Sequence, residues 1–150
     1  MGELRAERTV EIEAPLSRCF ELVSDLESTP DWQESMVSIE VLERDSEKRP
    51  TLCEVVSDAK IRQVTSELRF AHHPPDSLTW EQEEGEMKRL NGSWTLEDLG
   101  DGRTRATYSM SVDLGRMLGM VIRGPLVGVL RGQLVESMPG KLKKFLEKGG

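Results

Sequence analysis

Apolar and polar residues first alternate at residue 8. Over residues 8–13, Val10 and Ile12 fall on one side and Thr9, Glu11 and Glu13 on the other, which predicts a half-buried strand. Ala14-Pro15 ends it, and Pro15 suits the first turn of a helix. Leu16, Cys19, Phe20 and Val23 then recur at helical spacing, with Leu22 beside them. Residues 28–32 predict a short second helix or turn. Alternation returns at Val37, Ile39 and Val41, and the charged stretch 43–49 reads as a hairpin loop. Five further strands are predicted at 51–59, 61–72, 78–84, 87–97 and 103–113, with turn signals at Pro74-Pro75-Asp76 and Gly100-Asp101-Gly102.

The period changes after residue 114. Pro125 can open a helix in which Leu126, Val129, Leu130, Gln133, Leu134 and Met138 trace one face. Pro139-Gly140 predicts a kink or break, after which Leu142, Phe145 and Leu146 resume the stripe. Gly124, Gly128 and Gly132 recur every fourth residue. Each interior helix glycine costs about 0.5–1 kcal/mol relative to alanine, so the spacing reads first as close approach of the helix to the sheet. The order of elements predicts an α+β fold occupying 1–150 as one domain. An antiparallel sheet of about seven strands curves around a long C-terminal helix, with two short helices after the first strand. A sheet wrapped around one helix leaves room for a ligand cavity between them.

Charge refines this picture. At 150 residues, 31% charged and a mean hydropathy of -0.45, the chain reads as one folded domain and not as an integral membrane protein. A net charge of -7 argues against nucleic-acid binding. The charge is uneven, however: residues 1–114 carry -12, while 115–150 carry +5 from Arg116, Arg123, Arg131, Lys141, Lys143, Lys144 and Lys148 against Glu136 and Glu147. That basic segment is either the solvated face of a helix or a contact for an anionic membrane surface or acidic partner. The N-terminus has no apolar core of a secretion signal, which makes the cytoplasm the expected location.

Catalytic signals are sparse. His72 and His73 are adjacent, so on a strand they face opposite ways and cannot serve one metal. No metal, phosphate-loop or nucleophile motif occurs, so neither a metal site nor a cofactor is expected and catalytic residues stay unassigned. Cys19 and Cys53 sit among apolar residues and read as core. Glu81, Glu83, Glu84 and Glu86 read as a solvated surface. Alternation gives better candidates for a pocket. Val64, Leu68 and Phe70 share a face; so do Leu78, Trp80 and Gln82; so do Trp94 and Leu96, and Tyr108 and Met110. Tyr108, Gln82 and the indole N–H groups would be the polar handles.

In element order the chain resembles the helix-grip fold of START lipid-transfer domains and the major birch pollen allergen. Val10-Glu11-Ile12-Glu13-Ala14-Pro15, Phe20-Glu21-Leu22-Val23-Ser24-Asp25 and Pro30-Asp31-Trp32 resemble the opening of the bacterial polyketide cyclase/dehydrase and coenzyme Q-binding branch of that START-like (SRPBCC) superfamily. Gly92-Ser93-Trp94-Thr95-Leu96, the run from Gly102 to Tyr108 and the closing helix continue the likeness. The resemblance implies a deep, mostly apolar cavity under the C-terminal helix, with Trp32 at its mouth. The expected function is binding of a lipid, quinone or polyketide-like molecule by Trp32, Val64, Leu68, Phe70, Trp80, Gln82, Trp94, Tyr108, Met110, Leu126, Val129 and Gln133. One alternative is a polyketide aromatase/cyclase, for which Tyr108, Gln82 and Arg69 are the nominees. A second is docking on a membrane or partner through Arg116, Arg123 and Arg131. The oligomeric state is left open, a dimer included.

Overall fold

The alternating stretches form seven strands of one antiparallel sheet. A computed structural model describes residues 3–58, 62–115, 128–129 and 137–148. The strands are β1 (Glu3–Ile12), β2 (Met36–Arg44), β3 (Pro50–Asp58), β4 (Gln63–His73), β5 (Ser77–Gly85), β6 (Arg89–Gly100) and β7 (Arg103–Asp113). Their order across the sheet is β1-β7-β6-β5-β4-β3-β2, a meander from β2 to β7 with β1 added beside β7. Three helices are described: α1 (Leu16–Ser24), α2 (Thr29–Trp32), preceded by one 3-10 turn at Leu26–Ser28, and α3 (Met138–Glu147). α1 lies over β5, β6 and β7, α2 against β2, and α3 against β1 and β7. This is the α+β helix-grip architecture the sequence predicts.

Local chemistry explains most boundaries. Asp101 and Gly102 both take positive φ (55° and 74°), the two-residue turn whose twist suits a hairpin, and Gly100 beside them (φ 84°) sits at a register shift. Asp45 closes the β2–β3 loop by accepting the Glu47 and Arg49 amides on one carboxylate oxygen at 2.9 Å each. Pro15 caps α1 from an extended conformation and does not lie within the first turn. Its carbonyl accepts from Arg18 and Cys19 at 3.0 and 3.1 Å.

Two expectations are corrected. Val37, placed on the inner face of β2 by alternation, is 44% exposed. The register shifts between Met36 and Ser38, and a bulge there interrupts the period of two, so Met36 packs against the core instead. The helix expected to run into Pro139-Gly140 lies outside the described residues over 130–136, and Pro139 and Gly140 open α3. They lie in the first turn of α3, where proline's missing N–H has no intrahelical partner to lose. At Gly128 no described atom lies within 4 Å of where a Cβ would stand, so close packing gives no reason for glycine there; Gly124 and Gly132 lie outside the described residues.

The inner face of the sheet carries the core: Leu4, Ile12, Val55, Leu68, Leu78, Leu90, Leu96 and Val112 are buried on it with Cys19, Leu22, Val23 and Leu26 from the helical side. Met138, Leu142 and Leu146 of α3 join this core. Lys143 anchors α3 by donating to the Glu11 carbonyl at 2.9 Å, and the Glu147 carboxylate accepts the Glu13 amide at 2.9 Å. Both cysteines are fully buried and unbridged, as expected of core residues. The outer face is polar and laced with ion pairs.

Candidate functional site

One stretch of the sheet prepares a cavity. β5 pairs with β6 only over Ser77–Glu81, after which the end of β5 stays with β4 and the strands part. Met87, in the connecting loop, and Leu90, at the start of β6, line the inner side of the parted region. The cavity there measures about 60 Å³. Its walls come from β4 (Ser66, Leu68, Phe70), β5 (Leu78, Trp80), β6 (Leu90, Trp94) and β7 (Tyr108, Met110). Val23, Leu26, Thr29, Trp32 and Gln33 close it from the helical side, and Met36, Val55 and Ser57 from β2 and β3.

The aromatic content of the chain is concentrated here. Trp32 contacts Trp94 at 6.2 Å between ring centroids, Trp94 contacts Tyr108 at 4.6 Å, Tyr108 contacts Trp80 at 5.6 Å and Trp80 contacts Phe70 at 6.0 Å. All four pairs are tilted, the geometry that aromatic quadrupoles favour over a flat sandwich. These five rings are all the tryptophans, the one tyrosine and one of the three phenylalanines. Gly92 makes the arrangement sterically possible. It pairs directly with Trp80 across β5 and β6, and a Cβ at Gly92 would stand only 2.6–2.7 Å from three atoms of the indole.

Several polar atoms in this apolar wall lack a strong partner. Trp32 is 6% exposed and Ser66 3%, and neither the indole Nε1 nor the Ser66 Oγ has a hydrogen-bond partner among the described residues. The Tyr108 hydroxyl, equally buried, donates only to the thioether sulfur of Met110, at 3.4 Å. Burial alone pushes the Tyr108 phenol far above its ordinary range, so it stays protonated and is a donor.

The predicted site residues divide accordingly. Trp32, Leu68, Phe70, Trp80, Trp94, Tyr108 and Met110 meet around the cavity. Val64 is buried in the same core but is not a lining residue. Gln82 turns away: its amide donates to the Met87 carbonyl at 2.7 Å, and its Oε1 occupies the space a Cβ on Gly85 would need. It braces the β5–β6 connection. Val129 is 50% exposed and outside the lining, and Leu126 and Gln133 lie outside the described residues. Arg69 points outward, where Glu43 at 2.9 Å and Glu83 at 2.7 Å hold its guanidinium. Glu81, Glu84 and Glu86 are exposed too, and Glu86 pairs with Arg62. His72 bonds the Pro50 carbonyl at 2.6 Å while His73 is exposed. No three His, Cys, Asp or Glu side chains gather at metal-binding distance among the described residues. Ser66 was missed, although it alternates with Val64 and Leu68; small polar residues at inward positions carry no apolar signal of their own.

A curved antiparallel sheet closed by helices over an aromatic cavity defines a START-like, helix-grip protein. The chain belongs to the family described as polyketide cyclase/dehydrase and lipid transport, whose model matches residues 12–138. That family is one of small-molecule ligand binding and cyclase-type function. A START superfamily protein from Mycobacterium smegmatis superimposes with a TM-score of 0.82 at 19% identity, covering 97% of this chain and 99% of the other. A protein from Thermus thermophilus gives 0.79 at 24% identity, covering 99% of each chain. The Zhui aromatase/cyclase from a Streptomyces species gives 0.67 at 19% identity, covering 97% of this chain and 83% of that one. At these identities the likeness is one of fold. No curated protein matches the sequence. No described helix is long and apolar enough to cross a membrane.

Proposed function

We propose that residues 1–150 act as one ligand-binding domain, located in the cytoplasm, that takes a hydrophobic or amphipathic molecule (a lipid, quinone or polyketide-like compound) between the sheet and the C-terminal helix. The observation that carries this reading is the gathering of five of the seven aromatic side chains around one cavity. Aromatic walls bind through apolar burial, at roughly 25 cal/mol per Å² of surface removed from water. Trp32, Leu68, Phe70, Trp80, Trp94, Tyr108 and Met110 are the contact residues on this reading, with Val64 packed behind them.

The fold shared with an aromatase/cyclase keeps cyclisation as the second reading. Of its three nominees only Tyr108 faces the cavity, since Gln82 braces a turn and Arg69 is paired on the outer face. Docking through the basic segment rests chiefly on Arg116, Arg123 and Arg131, which lie outside the described residues.

Native mass spectrometry of the purified protein, followed by denaturing extraction, tests the binding reading. A co-purifying apolar molecule supports it and identifies its class. An apo mass, together with no heat on titration with 1-tetralone, sinks it.

A further inference from the structure

We propose that the outer face of β2–β5 is a docking surface for the C-terminal helix of a second copy of this chain. The contact is independent of what the cavity binds. Glu40, Glu54, Glu67 and Glu84 stand directly opposite one another in the registers of β2 with β3, β3 with β4 and β4 with β5. They alternate with the buried Val55 and Leu68, so the row lies on the outer face. Four carboxylates thus cross the sheet, one per strand, over about 14 Å at the usual strand spacing. Like charges placed directly opposite destabilise a sheet. Elsewhere on this face opposite charges are paired: Arg69 bridges Glu43 and Glu83, and Arg105 bridges Glu11 and Glu97. No carboxylate of the row has a cation partner among the described residues. A pairing rule kept around a row and broken along it is expected where a partner completes the surface.

Two neighbouring features indicate the occupant. Val37 and Leu42, two of the three large apolar side chains exposed among the described residues, flank Glu40 along β2. A shallow groove of about 270 Å³ runs beside Glu54, Glu67 and Glu84. The occupant must carry a line of cations at close to the strand spacing, with apolar surface next to it. α3 has both. Lys141, Lys144 and Lys148 fall at i, i+3 and i+7, a stripe about 10 Å long with one cation per turn of about 5.4 Å, against about 4.8 Å between strands. The stripe faces away from the buried Met138, Leu142 and Leu146, and Lys144 and Lys148 are exposed. Phe145, half-buried, lies beside it. Net charge is complementary in the same sense, -12 over residues 1–114 and +5 over 115–150. α3 packs on β1 and β7 from the inner side of the sheet, so the helix of one copy meets the outer sheet face of the next. Such a contact is head-to-tail, and it builds rings or chains, not a closed twofold dimer.

Sedimentation velocity over a concentration series tests this on the full chain. At about 50 mM salt wild type should exceed the monomer mass, and its association constant should fall at least roughly tenfold at about 500 mM salt. One double variant, Glu54→Gln with Glu67→Gln, neutralises the centre of the row. The other, Lys144→Gln with Lys148→Gln, neutralises the exposed lysines of the stripe. None of these four side chains is buried, and circular dichroism checks the fold. Each double variant should stay monomeric at low salt. Mixed in equal amounts, they should form a 1:1 dimer and nothing larger, because one intact helix then meets one intact row. Wild type that remains monomeric at low salt overturns the proposal. Association that either variant retains, or that salt does not weaken, overturns it too. A mixture that stays monomeric shows that the helix does not bind the row.

Discussion

Replacing Gly92 with alanine tests whether the indole of Trp80 lies on the β6 backbone. The new Cβ would meet Cε2 and Cζ2 at 2.6 Å and Nε1 at 2.7 Å, where ordinary contact begins at 3.4 Å, so the ring must retreat by about 1 Å. It has little room to do so, because Phe70 and Tyr108 pack on it and Trp80 is only 8% exposed. Overpacking of this kind costs about 1–3 kcal/mol. Removing a glycine from the unfolded chain returns about 0.4–1 kcal/mol, and Gly92 has no left-handed φ to add strain. The net loss is then about 1–2 kcal/mol, or roughly 2–8 °C in Tm for a chain of this size. Urea unfolding followed by tryptophan fluorescence reads it, with a double-mutant cycle as the decisive arm. In a Trp80→Leu background, Gly92→Ala should be neutral or stabilising, because the ring it collides with is gone. An undiminished Tm in the single variant, or an equal cost in both backgrounds, refutes the packing argument.

Other consequences can be measured on the same protein. Thr104 is fully buried and its hydroxyl donates to the Ala14 carbonyl at 2.8 Å, so Thr104→Val should lose about 1–3 kcal/mol in urea unfolding. Three carboxyls sit below their ordinary range: Asp45 chiefly through the Arg49 amide, Glu83 through the Arg69 guanidinium, and Glu147 through Lys143. Their contribution is complete above the unfolded values, near about pH 4.5, and fades as pH falls through the lower folded values, so Tm should drop between about pH 5 and pH 3. The drop should be shallower in a Glu83→Gln, Asp45→Asn double variant; a wild-type Tm that is flat or rising on acidification contradicts the assignment. Burial raises the Cys19 thiol and pushes the Cys53 thiol up to about 11, so neither should react with a thiol reagent near about pH 8 until guanidinium unfolds the chain. Rapid labelling of the native protein would show that one of them is accessible.

The fold was legible because period-two patterning survives in most strands and the Gly-Asp-Gly and Pro-Pro turns punctuate it. The failures have local causes. The first strand begins at Glu3, five residues before its alternation becomes readable, because Ala6 is a weak apolar marker and Arg8 stands at an inward position. Val37 was misplaced because a bulge inserts a residue without any signature in composition. Site residues on one strand face, such as Leu68 with Phe70, were legible for the same reason the strands were. Gln82 shared the correct face and still left the cavity, since the parting of β5 from β6 offered it the Met87 carbonyl. Met36 and Met87 entered the site through a bulge and a loop, which no periodicity marks.

What the sequence could not convey is which buried polar groups find partners, and that distinction gives the cavity its character. Thr104 is satisfied by a nearby carbonyl and reads as structure. Trp32 and Ser66 are not, and each unpaired buried group costs the fold about 1–3 kcal/mol. A core that needed only to be packed would gain by exchanging Ser66 for alanine and Trp32 for phenylalanine. Retaining both beside a tyrosine whose hydroxyl meets only a thioether makes sense where a ligand completes the bonds. The cavity volume of about 60 Å³ is well below that usual for small-molecule pockets. Side chains must therefore yield on binding. Met36, Met87 and Met110 are the unbranched apolar side chains among the described lining residues. Met110 is held there by the weak hydrogen bond from Tyr108. A ligand that displaces Met110 gives up only that weak bond and the side chain's apolar contacts.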